Sequence, residues 1–306
     1  MKKIDRKISL IIFVVVIILV TALRFYQWSS AIDLDTGFFK GSTATEMAMI
    51  ISVVVGTVLF AIPVLFGASK PKKEGDVSAF DADSKLTAKR TSVVFASISM
   101  MICLFIIWDL VSNFTGIAGF GALKYILLIL ELCSAVVFGI TAVMQYINKP
   151  FLEGLGFSYL IPTMWFALRA AQLFKNSTAL TSNSQNLIKM MFLLSAILFF
   201  VYFARYRAGF SKRRTKETIL ITGMLTAVFS ITMVVPLFVF GGSIAFEYSN
   251  DLLGCDLCVG AFAICTIVRF FGKDYKKIDD ENEAEIENSS DFNTDESFVD
   301  ETDTNQ

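Results

Sequence analysis

Apolar runs separated by short polar breaks fill the chain from Ile8 to Phe271. A helix needs roughly 20 residues to cross a hydrocarbon core of about 30 Å. Eight runs are of that order: Ile8 to Arg24, Met47 to Phe66, Ser92 to Leu110, Tyr125 to Ile147, Leu155 to Leu173, Leu187 to Tyr206, Thr218 to Phe240 and Leu252 to Phe271. The pattern predicts an all-α integral membrane protein of about eight transmembrane helices. Lys2, Lys3, Arg6 and Lys7, followed by an apolar run and Ser29-Ser30-Ala31, also resemble a cleavable signal peptide. The run is longer than a signal core, which favours a retained helix.

The polar breaks orient the helices. Lys and Arg accumulate in the loops that stay in the cytoplasm during insertion. With the N-terminus inside, 21 of the 27 basic residues fall on the inner side, and only Arg24, Lys40, Lys124, Arg169, Lys175 and Lys189 fall outside. That split predicts a cell-membrane protein with both termini in the cytoplasm. Residues 1–7 form a short inner tail. From Asp279 to Gln306 the pattern ends in 12 acidic residues with no basic one, so 273–306 is expected to be a disordered acidic tail. Such a tail is a place where a cytoplasmic protein partner could dock, although a plain solvated end explains the composition as well.

Composition narrows the chemistry. A chain that is 55% hydrophobic, 18% charged and carries 30 Phe suits the lipid bilayer as its solvent. It contains no histidine, which removes His-based metal sites, serine triads and Cys-His dyads. No Walker, kinase or Gly-x-Ser-x-Gly pattern is present, so no catalytic residue, cofactor, metal or nucleic-acid partner is assigned. Five cysteines lie in or beside apolar runs and imply no disulfide framework. The Cys255-Asp256-Leu257-Cys258 spacing lacks the second pair a zinc site needs and suits packing better.

Short strings recur in order between the two halves. Ala22-Leu23-Arg24-Phe25-Tyr26-Gln27 matches Ala167-Leu168-Arg169-Ala170-Ala171-Gln172. Lys89-Arg90-Thr91 matches Arg213-Arg214-Thr215, and Glu131-Leu132-Cys133 matches Asp256-Leu257-Cys258, with Thr141 and Thr266 in register. The recurrence predicts two parallel four-helix repeats, 8–150 and 151–272, related by an axis along the membrane normal.

Ionisable groups inside a membrane bundle are costly and therefore informative. Asp109, Glu131 and Asp256, with Arg24-x-x-Gln27 and Arg169-x-x-Gln172, form the candidate constellation for a small solute or ion, or for structural ion pairs. Glu131 is the deepest, about 10 Å of helix beyond Lys124, and a partner in Arg24 or Arg169 is expected. Pro162 and Pro236 are candidate helix breaks beside a cavity. These residues favour a transporter-like protein, with a scaffold or sensor that recruits cytoplasmic partners as the alternative and an intramembrane enzyme third.

Overall fold

The computed structural model describes residues 3–31, 44–66, 89–114, 122–147, 155–176, 184–210, 215–240 and 252–271, so the acidic tail lies outside the described residues. Within them the chain is helical apart from a turn at residues 208–210, with no strand. The helices are α1 (Lys3–Tyr26), continued by a widened π-turn at Gln27–Ala31, α2 (Ala44–Phe66), α3 (Lys89–Phe114) and α4 (Ala122–Ile147). There follow α5 (Leu160–Asn176), preceded by a 3-10 turn at Leu155–Tyr159, then α6 (Ser184–Arg207), α7 (Thr215–Phe240) and α8 (Leu253–Phe271).

Seven of these helices, all but α5, are long and apolar enough to cross a membrane. Helix α5 has 17 residues and starts later than the apolar run that announced it. At about 1.5 Å per residue it is about 26 Å long. Pro162 explains the late start. It sits in the first turn of α5, where its missing N–H costs no helical bond and its fixed φ suits a helix beginning. It therefore opens a helix instead of breaking one, whereas Pro63 and Pro236 lie inside α2 and α7.

The burial pattern is that of a protein turned toward lipid. On α2 the exposed side chains are Ile51, Val54, Val55, Val58, Leu59 and Ile62, a continuous apolar stripe at helical spacing. On α4 the outward residues are Ile126, Ile129, Val136, Ile140 and Val143, while Glu131, Ser134, Thr141 and Gln145 are buried. Polar groups inside and aliphatic groups outside is the arrangement a hydrocarbon solvent favours, because polar groups find hydrogen bonds only within the bundle. This is a multi-pass membrane protein.

Helix α1 packs on α2 and on α7, α2 on α7, α3 on α4, α4 on α5, α5 on α6, and α6 on α7. Helix α7 is the most enclosed, with 67% of its spanning window buried against 28% for α1 and α2. Between helices in lipid, cohesion comes from close packing rather than from exclusion of water. Here aromatic rings supply it. Phe262 of α8 has ring centroids around it at 4.4 Å (Phe95), 5.5 Å (Phe203), 5.9 Å (Phe200), 6.0 Å (Phe138) and 6.2 Å (Phe199), joining α3, α4, α6 and α8.

The α7–α8 contact depends on a missing side chain. A Cβ on Gly260 would lie 2.6 Å from Ser230 Cβ on α7, an atom fixed to its backbone. Gly260→Ala is expected to push the helices apart and cost about 1–3 kcal/mol, read as a lower unfolding temperature in detergent. Ser230→Gly in the same chain should recover part of the loss, since it removes the obstructing carbon.

Candidate functional site

The charged residues gather at one end of the bundle, where α3 and α5 finish and α6 and α8 begin. Arg169, seven residues before the end of α5, faces Asp256 in the first turn of α8. Its Nη1 donates to Asp256 Oδ1 at 2.8 Å and its Nη2 to Oδ2 at 3.1 Å. The guanidinium also lies 4.9 Å from the Trp165 ring centroid and 5.6 Å from that of Phe166. Both partners are almost wholly buried. A two-pronged bond matches the planar fork of Arg to a carboxylate, and the position of Asp256 near a helix N-terminus adds a favourable dipole.

Glu131 of α4 and Asp109 of α3 stand beside this pair. Both are buried, on neighbouring helices, and each lies in the electrostatic field of the other. Glu131 also feels the charge of Arg169 through space. The expected contact with Arg24 or Arg169 does not form. Among the described residues the ion pair of Arg169 goes to Asp256, and no ion pair reaches Glu131. Asp256 takes both guanidinium prongs, which leaves Glu131 to meet the other acid.

Arg24 takes a different course from its counterpart in the second half. Its Nη1 donates to Gln27 Oε1 at 2.9 Å and its Nη2 to Gln185 Oε1 at 2.8 Å, with the Trp28 ring centroid at 5.6 Å. The π-turn after α1 widens the backbone so that Gln27 and Trp28 turn inward beside Arg24, and Gln27 Nε2 reaches the start of α2, donating to Thr45 O at 2.9 Å. Gln172 is half-buried and makes no such link to Arg169 among the described residues. The two Arg-x-x-Gln strings are thus used differently.

Two residues outside the expected set complete the arrangement. Gln185 accepts from Arg24 and donates through Nε2 to Met233 O at 3.3 Å, tying α1, α6 and α7 together. Lys189 is half-buried and lies in the field of Asp109, Asp256 and Arg169. Both open α6 on one face, four residues apart. That spacing is visible in the sequence, where Lys189 otherwise counts only as an outer-side charge.

A second polar layer lies at the other end of the same helices. Tyr159 Oη and Thr141 Oγ1 are 2.8 Å apart, Ser92 Oγ donates to Gln145 O at 2.6 Å, and Arg269 Nη1 donates to Gln145 Oε1 at 3.1 Å. A cleft lined by Phe95, Phe203, Tyr206, Arg207, Thr266, Arg269 and Phe270 opens there, away from the charged cluster. Cys255 and Cys258 carry free thiols, Cys255 fully buried. No group of three or more Cys, Asp or Glu among the described residues is arranged to hold a metal ion.

No protein-family model, curated protein or solved structure matches this chain.

The buried pair makes a sharp energetic prediction. Asp256→Asn leaves a buried guanidinium without its anion and should cost about 3–5 kcal/mol. The double variant Arg169→Met with Asp256→Leu removes both charges and should unfold nearer to the wild-type temperature than Asp256→Asn does.

Proposed function

We propose that this protein is a transporter-like membrane protein that binds a small solute or ion at the charged cluster. The observation that carries the reading is the origin of the cluster. Asp109, Glu131, Arg169, Lys189 and Asp256 come from five different helices, α3, α4, α5, α6 and α8, and both halves of the chain contribute. A pair that only pins two helices needs no such convergence, and intramembrane charges that meet between segments serve solute and ion pathways.

Eight crossings with both termini in the cell's interior belong to the same proposal. Helix α5 supports it despite its length. Tyr159 at its start meets Thr141 near the end of α4, and Arg169 near its finish meets the first turn of α8, so α5 alternates in direction like its neighbours. Parallel four-helix repeats remain part of the proposal on the strength of the matched strings, with side-chain pairing that has diverged between the halves.

A non-transporting scaffold or sensor is the second reading. The Arg169–Asp256 pair favours it, since two hydrogen bonds and two aromatic faces leave that guanidinium little to offer a solute.

Ligand-dependent stabilisation separates the two. A specific solute raises unfolding temperature with concentration, by about 2.7 kcal/mol at a hundred times its dissociation constant. A screen of small ionic and zwitterionic solutes on purified protein should find such a response, and Glu131→Gln should abolish it while the protein stays folded. A Glu131→Gln variant that loses only stability, with no solute responding in the wild type, would support the scaffold. Topology is checked independently. Single cysteines at Asn113, Asn176 and Ser249 are expected to label from outside and those at Ser78 and Ser211 only from inside. Labelling of Asn176 from inside would remove the α5 crossing.

A further inference from the structure

We infer that the cleft between α3, α6 and α8 binds a phosphate group of net negative charge, held by the guanidinium groups of Arg207 and Arg269. It lies at the opposite end of the bundle from the charged cluster, so the inference is independent of what that cluster binds. Arg207 ends α6, and Arg269 stands two residues before the end of α8. Both line the cleft, and no carboxylate is among its lining side chains. Glu217, the acid in the first turn of α7, is not one of them.

Neutral groups orient the two cations. The Arg207 guanidinium lies 5.6 Å from the Phe203 ring centroid and that of Arg269 lies 5.6 Å from the Phe95 centroid. Arg269 Nη1 also donates to Gln145 Oε1 at 3.1 Å. A third cation flanks them, since Lys216 at the start of α7 stands 5.9 Å from the centroid of Tyr206, a ring that lines the cleft. Arg269 lies in the field of Arg207, and two like charges directed at one cleft favour an anion between them. The guanidinium fork fits phosphate with paired N–H···O bonds, and it stacks on aromatic faces as both arginines do here. An arginine that only snorkels extends from its own helix end toward water. Snorkelling does not require two arginines from different helices to line one cleft.

The rest of the lining bears on where the phosphate comes from. Phe95 and Phe203 form apolar walls, and Tyr206 meets Phe270 edge-on with centroids 5.1 Å apart. Such walls suit a phosphate that carries acyl chains. Basic pockets between membrane helices on the cytoplasmic side hold anionic lipid head groups, and under the proposed topology this end is the cytoplasmic one. An anionic phospholipid is therefore the favoured source, and soluble phosphate shares the same chemistry.

Thermal unfolding of the full chain in maltoside micelles tests the inference. The probes are phosphatidylglycerol doped into the micelles, phosphatidylcholine at the same fraction, and potassium phosphate against potassium chloride at equal ionic strength. Phosphatidylglycerol is expected to raise Tm with its mole fraction, and phosphatidylcholine is not. The fraction giving half the shift should rise about tenfold or more in Arg207→Gln and in Arg269→Gln, the scale of a lost charge-assisted hydrogen bond. Arg207→Lys and Arg269→Lys keep the charge without the fork and should weaken the response less. Arg205→Gln should leave it unchanged, because Arg205 donates through Nε to Phe210 O at 3.0 Å and does not line the cleft. A shift with potassium phosphate alone supports the site with a soluble source. No shift with either phosphate probe overturns the inference. A phosphatidylglycerol response that survives in the folded Gln variants overturns it too, as does one that Arg205→Gln weakens equally, since both assign the effect to the basic surface at large. Where a Gln variant does not fold, its Lys variant decides, and an unchanged response there overturns the assignment to the guanidinium groups.

Discussion

A guanidinium drawn into the hydrocarbon core must find its anion within the protein, because acyl chains offer neither charge nor hydrogen bonds. In this bundle the Arg169–Asp256 pair meets that demand, and much of the interior follows from it. Pairing fixes α5 against α8 in one register. It also sets Trp165 and Phe166 beneath the guanidinium, and Phe166 then stacks on Phe200 at 5.6 Å with planes only 11° apart. Through Phe200 and Phe262 the contact extends across α6 and α8 to Phe95 on α3. One electrostatic requirement thus positions an aromatic core that no single helix could order.

The interior is layered as a result. Charged side chains occupy one end, a Tyr159, Thr141, Gln145 and Arg269 network occupies the other, and phenylalanine rings fill the space between. Those rings present no donors or acceptors. Under the proposed reading, a solute or ion at the cluster would communicate with one end of the bundle, and passage to the other would demand that rings such as Phe138, Phe200 and Phe262 part.

Helices were legible in the sequence because the bilayer selects on length and hydropathy, two properties read directly from residue order. Helix α5 was misplaced at its start because an apolar run does not reveal that Pro162 opens a helix rather than interrupting it. Within the constellation, Asp109, Glu131, Arg169 and Asp256 do come together. Arg24 and Gln27 do not join them, since which helices neighbour one another is a tertiary fact that hydropathy leaves open. Gln185 and Lys189 were missed for a related reason. They stand at the mouth of α6, where a polar residue is equally at home in a loop, and only the four-residue spacing hinted at a shared inward face.

The latch formed by Arg24, Gln185 and the Met233 carbonyl links α1 to α6 and α7. Ribosomes deliver α1 well over a hundred residues before either partner exists. During that interval Arg24 has no Gln185 to meet, so the first hairpin waits in the bilayer with a cation at its rim, where head-group phosphates can hold it. Docking of α1 and α2 on the later helices consequently waits for α6 and α7, and the latch is a bond exchanged from lipid to protein.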